Sequence, residues 1–215
     1  MSQPIDSASL ADLVARLVEA ARRAGADAAD AVAVRSRSTG VSVRLGKVEN
    51  TGAAESDDVS LRVFVGQRSA SVSANGTPDP ATFAERAVAM ARVSPEDPHE
   101  RLADASRLAR EIADLDLFDP TGISPERLRE DALAMEAAAL AVPGVTNSGG
   151  ASASVGMGGL VLATSHGFLG HYMATRFSRS VSVLAGEGTA MERDSHFSSR
   201  LHFADLESVE AIGRT

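Results

Sequence analysis

The sequence predicts an α+β fold: helices packed on antiparallel sheets, followed by a Gly/Ser-rich β region. Three observations carry this. Apolar residues near the N-terminus recur at helical spacing. Between Val32 and Ala74, apolar and polar residues alternate in short runs. From Val145 to Arg200 such runs return, now interleaved with Gly and Ser. Alternation with one apolar and one largely polar face belongs to an antiparallel sheet covered on one side.

Leu10, Leu13, Val14, Leu17, Val18 and Ala21 form one apolar stripe, so the first element is a helix that Gly25 ends. Val32 and Val34 begin one strand, and Val41, Val43 and Leu45 a second. Val59, Leu61, Val63 and Val65 make a third, which turns through "GQR" at Gly66–Arg68 into "SASVSA". A helix follows from about Pro80 to Arg92, with Phe83, Ala87, Val88 and Ala91 inward. The next stretch contains Pro95, Pro98 and Pro120 with many acids; some of it could be helical, but it reads best as a connector between lobes. Ser124 as N-cap and Pro125 at the first helical position open another helix, with Leu128, Ala132, Met135 and Leu140 on one face and Pro143–Gly144 as its stop. Gly158–Gly159 reads as a hairpin turn, and Val181, Val183 and Ala185 as a strand. A final helix without a cap is expected from near Ala204 to Thr215, as if the chain were cut in mid-element. The organisation expected is an N-terminal α+β lobe over 1–95, a connector over 96–123, and a helix plus β-rich segment over 124–215.

Composition narrows the function. The chain has 215 residues, 44% hydrophobic and 23% charged, as in a soluble globular protein. It has no cysteine, so neither a disulfide nor a thiolate metal site exists within it, which fits a cytoplasmic location. The net charge of −8 argues against direct nucleic-acid contact, and the absence of Trp with only one Tyr argues against a base-stacking platform. No apolar run approaches a membrane span, and "MSQPIDSASLADLV" lacks the basic and apolar regions of a signal peptide.

The chemistry-bearing candidates centre on "SHGFLGHY", Ser165–Tyr172. His166 and His171 have the spacing of the histidines in an H-E-x-x-x-H zinc motif, but Gly167 replaces the glutamate that would act as general base. Gly167 and Gly170 weaken a helix, and the neighbourhood reads as strand and turn, in which the two rings diverge. A folded cluster of His166 with His196 and Glu192 is the residual metal possibility; His202 and Glu187 add to the local donors. Ser165–His166 is a weak nucleophile–base pair because the two are sequence neighbours. Asp57–Asp58 is read as a turn cap, and Glu192, Arg193 and Asp194 as a local ion-pair network. "GMGG" and "GEG" lack the context of a phosphate loop. No catalytic, cofactor-binding or metal residue is therefore assigned.

Two longer segments resemble one family. "LGKVENTGAAESDDVSLRVFVGQRSASVSAN", Leu45–Asn75, with its G-x-x-E element at Gly46–Glu49 and the hairpin from Gly66, is similar to the N-terminal domain of the TldD/PmbA family, the modulators of DNA gyrase. "ATSHGFLGHYMATRFSRSVSVLAGEGTAMERDSHFSSR", Ala163–Arg200, resembles the PmbA/TldE-type branch through its S-H-G turn, its Ser-rich strand and "MERD" followed by an aromatic and "SSR". The resemblance implies a cytoplasmic two-component zinc metallopeptidase that proteolyses unfolded or short peptides. It implies a zinc-carrying TldD-like catalytic subunit as partner in a hetero- or homodimer, with no cofactor in this chain. This chain would be the N-terminal half of the PmbA/TldE-type subunit, ending before a C-terminal β-rich half, and not catalytic alone. Two alternatives stay open: a catalytic TldD-type subunit with H-E-x-x-x-H beyond Thr215, or a non-enzymatic regulatory module. Small-residue strands also let an extended peptide approach and add its own main-chain hydrogen bonds.

Overall fold

The computed structural model describes residues 5–215; residues 1–4, the start of the segment read above for a signal peptide, lie outside the described residues. Helix α1 spans Ser7–Arg23, capped by Asp6, whose carboxylate accepts from the amides of Ala8 and Ser9, both at 3.1 Å. The six stripe residues from Leu10 to Ala21 are all buried. Fully burying such a side chain contributes roughly 1.5–3 kcal/mol, so this stripe anchors the element.

Six strands follow: β1 (Ala28–Arg44), β2 (Lys47–Val65), β3 (Arg68–Asn75), β4 (Val145–Thr164), β5 (Leu169–Ala185) and β6 (Glu192–Arg200). They form one sheet in the order β3-β2-β1-β4-β5-β6, antiparallel throughout. β1, of residues 1–95, is thus the direct neighbour of β4, of residues 124–215.

Several expected boundaries are corrected. The two strands expected at Val32–Val34 and Val41–Leu45 are one 17-residue strand, and Leu45 lies in the turn after it. Leu45 and Gly46 both have positive φ, 50° and 74°, the geometry of a two-residue hairpin turn matched to strand twist. Gly158–Gly159 is no turn but the middle of β4, which runs 20 residues. Its smallness serves packing instead: a Cβ on Gly159 would stand 3.2 Å from Ile5 Cγ2.

The helices share one face of the sheet. α1 and α2 (Pro80–Val93) pack over Ala29, Ala31 and Ala33 of β1 and Leu61 and Val63 of β2. α3 (Pro125–Leu140) and α4 (Val209–Arg214) pack over Val41, Val43, Ala151 and Val181. The two clusters therefore sit at opposite ends of the long strands. Between them the same face carries Arg35 and Arg37, paired with Asp57 at 2.5 Å and Glu55 at 3.4 Å. A polar band separates two apolar cores. The opposite face presents Ser36, Ser38, Ser42, Ser152, Ser154 and Ser178 and carries no α-helix among the described residues.

Ser124 caps α3 as expected, accepting from the Arg127 amide at 3.2 Å, with Pro125 first in the helix. Leu140, expected inward, is 36% exposed; Glu136 and Ala139 take the inward positions of that turn. The uncapped final helix is also corrected. A 3₁₀ turn at Phe203–Asp205 precedes α4, and the Ser208 hydroxyl caps α4 by accepting from the Ala211 amide at 3.1 Å.

Residues 96–123 are largely irregular, with one 3₁₀ turn at Ala105–Arg107. They strap the sheet. The Asp97 amide donates to the Gln67 carbonyl at 2.7 Å, and the Thr175 amide, on β5 beyond the end of β6, donates to the Leu117 carbonyl at 3.0 Å.

Candidate functional site

The histidine pair lies around a tight turn. β4 ends at Thr164 and β5 begins at Leu169, so His166 is in the connecting turn and His171 is on β5. His166 Nδ1 lies 3.2 Å from the Ala103 carbonyl, while His171 is exposed opposite Val161. The cluster of His166 with His196 and Glu192 does not form. His196 pairs with Val181, twelve positions along β5 from Leu169, which at about 3.3 Å per residue puts it on the order of 40 Å away. His196 Nε2 meets Glu207 Oε2 at 3.0 Å, and His202 Nε2 meets the Asp116 carbonyl at 2.7 Å. Among the described residues no group of three His, Asp or Glu is placed to hold a metal ion, so the zinc that the family resemblance implies finds no fitting donor set here.

The remaining candidates have structural partners. Ser165 closes the sheet end: its hydroxyl accepts from the Ala29 amide at 3.0 Å and its own amide donates to the Ala29 carbonyl at 2.8 Å. Asp57 and Asp58 cap no turn. They are consecutive strand residues on opposite faces, Asp57 held by Arg35 and Asp58 accepting from Asn75 Nδ2 at 2.6 Å. Glu192, Arg193 and Asp194 make no ion pair with one another among the described residues; Asp194 instead accepts from the Ser195 amide at 2.7 Å. Three consecutive strand residues alternate faces, which keeps such a network from closing.

The charged residues that organise the molecule are others. Asp131 is 4% exposed and Arg179 6%. Arg179 Nη2 and Nε reach Asp131 Oδ2 at 2.5 and 3.1 Å, Arg127 Nε reaches Asp131 Oδ1 at 2.8 Å, and Arg179 Nη1 donates to the Glu207 carbonyl at 2.7 Å. The Arg179 guanidinium also stands 5.2 Å from the centroid of the Phe203 ring. This network ties α3 to β5 and to the lead-in of α4. A sequence signal existed: Asp131 and Glu136 fall on the same α3 stripe as Leu128, Ala132, Met135 and Ala139. A charge on an apolar stripe implies a buried partner.

A cleft of about 490 Å³ lies over the polar band, floored by Arg37, Thr39 and Met157 and roofed by the strap from Phe118 to Pro125. Asp119 on the strap sits at its rim. Burial pushes its carboxyl upward, but hydrogen bonds from Thr121 and the Phe203 amide outweigh that and hold it below the usual aspartate value. Three hydroxyls of the cleft have structural partners: Thr121 hydrogen-bonds the Asp119 carboxylate, Thr175 donates to the Leu201 carbonyl, and Ser124 caps α3. The other accessible feature is backbone. β3 pairs with β2 only from Asp58 to Val65, so among the described residues the outer edge of β2 from Lys47 to Asp57 has no strand beside it.

Two family models match this chain. That of the PmbA/TldA metallopeptidase domain 1 covers residues 29–91, and that of the PmbA/TldA metallopeptidase central domain covers residues 118–215. The chain is 33% identical over 207 residues to the metalloprotease PmbA homolog of Haemophilus influenzae, covering 95% of this chain and 46% of that protein. It is 36% identical over 184 residues to the metalloprotease PmbA of Escherichia coli O157:H7, covering 83% of this chain and 41% of that protein. The chain thus spans less than half the length of these curated relatives. A solved structure named as a modulator of DNA gyrase, from Bacteroides thetaiotaomicron, superposes with a TM-score of 0.86 at 26% identity, covering 97% of this chain and 48% of that one. TldE of Thermococcus kodakarensis shares the fold, with a TM-score of 0.78 at 17% identity over 94% of this chain and 45% of that one.

Proposed function

The chain belongs to the PmbA/TldD metallopeptidase family, and from that premise we propose that it is part of a PmbA/TldE-type subunit of a two-component zinc metallopeptidase. In this reading the zinc is carried by a TldD-like partner, and the pair proteolyses unfolded or short peptides in the cytoplasm. The observation that carries the reading is identity of 33–36% to two PmbA proteins over most of this chain. The position of the histidine candidates supports it: His166, His196 and His202 each face a structural partner. The role left to these residues is to bind and position, not to activate water. A six-stranded sheet with an uncovered Ser-rich face and an unpaired edge suits the handling of extended chains.

The test is reconstitution. The full-length gene product is purified alone and together with a TldD-type partner, stripped with a chelator, and reloaded with zinc. Hydrolysis of a short unstructured peptide is then followed. The expected result is zinc-dependent cleavage by the pair and none by this subunit. Zinc-dependent cleavage by this subunit alone would make it the catalytic member and overturn the reading.

A further inference from the structure

The cleft between the sheet and the strap has the build of a small-molecule site. Its floor is two adjacent rows of the sheet on the helix-bearing side: Arg37, Met157 and Thr175 in one, Thr39 and Val155 in the next. Its roof is the strap from Phe118 to Pro125, and that roof is fixed in place. The Asp119 amide donates to the Thr175 hydroxyl at 2.9 Å, and the Asp119 carboxylate accepts the amides of Thr121 and Phe203, both at 2.8 Å. The space of about 490 Å³ falls in the range of small-ligand sites, roughly 300–1,000 Å³.

The lining is divided by chemistry. Phe118, Ile123, Val155 and Met157 supply apolar surface. Among the described residues, Arg37 is the one cation that lines the cleft. Glu55 meets its guanidinium at Nε alone, at 3.4 Å, and the Glu55 side chain is 73% exposed, so that pair is a weak surface contact. The two terminal nitrogens of Arg37 have no hydrogen-bond partner among the described residues, and neither has the Thr39 hydroxyl. Arg35 differs: Asp57 holds its Nε at 2.5 Å, and it does not line the cleft. A partly apolar chamber thus presents a forked double donor with no acceptor in it.

We infer that this cleft binds a small monocarboxylate with a compact apolar body, its carboxylate on the terminal nitrogens of Arg37 and its hydrocarbon part against Phe118, Ile123, Val155 and Met157. Two parallel N–H groups match the two oxygens of a carboxylate, which sets the head group. No second cation lines the cleft among the described residues, and the Asp119 carboxylate stands at its rim, so a second negative charge on the ligand would meet repulsion. The bound acid would bridge β1 and β4 to the strap, and through the strap to the start of α3. The inference goes beyond the metallopeptidase reading and needs no partner subunit.

The experiment titrates the full-length chain, with labelled methyl groups, with isocaproate and follows the methyl resonances. Saturable shifts are expected at Ile123, Val155 and Met157, and none at Val34 or Leu160, which face the other side of the sheet. Isocaproamide, which keeps the body and loses the charge, should bind about tenfold more weakly or worse, and so should acetate, which keeps the charge and lacks the body. Arg37→Gln should weaken isocaproate by about tenfold or more, whereas Arg35→Gln should leave it unchanged. The comparison of acid with amide uses the native chain, which keeps the test valid if Arg37→Gln misfolds. No saturable shift, equal binding of acid and amide, or shifts confined to Val34 and Leu160 would overturn the inference. Tighter binding of methylsuccinate would overturn it in favour of a dianion, and tighter binding of acetyl-Ala-Ala-leucine in favour of a chain terminus.

Discussion

Glu136 holds Gly46 at the tip of the first hairpin: the buried carboxylate on α3 accepts the amides of Leu45 and Gly46, both at 2.7 Å, and the hydroxyl of Ser148. The tip needs this. Leu45 is a non-glycine residue at φ 50°, and the turn projects at the end of a long hairpin that lacks an outer strand. One side chain, 1% exposed, thereby joins α3, the β1–β2 hairpin and the start of β4.

Glu136→Ala leaves two amides and a hydroxyl without an acceptor. Each orphaned group costs about 1–3 kcal/mol, water relieves some of that at the tip, and the net loss expected is about 3 kcal/mol. For a chain of this size that is a fall in Tm of roughly 6–12 °C. Glu136→Gln keeps one acceptor oxygen and should lose about half as much. Thermal unfolding gives the totals, and amide exchange at Leu45 and Gly46 should rise first.

The Asp131–Arg179 pair sets a second expectation. Asp131→Ala leaves the buried Arg179 charge uncompensated and should cost about 3–5 kcal/mol, whereas Arg179→Ala leaves Asp131 paired with Arg127 and should cost less. The double change Asp131→Leu with Arg179→Met removes both charges and should recover most of that loss. A denaturant series over the cycle checks it. Additive losses would mean that the pair contributes no coupling.

α1, α2 and the β2–β3 hairpin were legible and the full length of the long strands was not, for a physical reason. α1 and α2 each bury one stripe against one core, so their periodicity is undiluted. The long strands cross two cores and the polar band between them. "RSRSTG", Arg35–Gly40, breaks the apolar alternation and reads as a loop, yet its arginines sit on the helix-bearing face at the gap between the helix pairs, neutralised by Asp57 and Glu55. Gly158–Gly159 misleads in the same way. Neither has positive φ, and Gly159 is small because Ile5 packs on it. Of the candidate site, the strand-and-turn setting of His166 and His171 was readable from their flanking glycines. Arg179 was not, because its Ser-rich strand looks alike on both faces until α3 is placed over one of them.

Ser165, His166 and His171 should be dispensable for chemistry. Ser165→Ala removes the hydroxyl that accepts from the Ala29 amide, and about 1 kcal/mol of stability should go with it. Peptide cleavage by the reconstituted pair should persist in Ser165→Ala, His166→Ala and His171→Ala. A loss of kcat by two orders of magnitude or more in any of them, without a matching loss of Tm, would put that side chain in the reaction.

Protonation of His202 should tighten the strap. Its ring hydrogen-bonds the Asp116 carbonyl, and that bond raises its pKa above the ordinary histidine value; burial opposes this, and the charges of Asp116, Asp119 and Asp205 add to it. A pKa raised in the folded state means that the contribution to stability is complete below the unfolded value, about 6.5, and is lost as pH climbs through the higher folded one. Asp119 acts in the opposite sense. Its lowered pKa gives a contribution present above the ordinary aspartate value and lost on acidification through the folded one. The strap should therefore hold best in the mildly acidic range between these two titrations. Amide protection at Asp119 and Phe203, corrected for the intrinsic rise of exchange with pH, should be greatest there and should fall toward alkaline pH in the native chain. His202→Gln should flatten the alkaline side alone, and an unchanged alkaline limb in that variant would assign the loosening to another group.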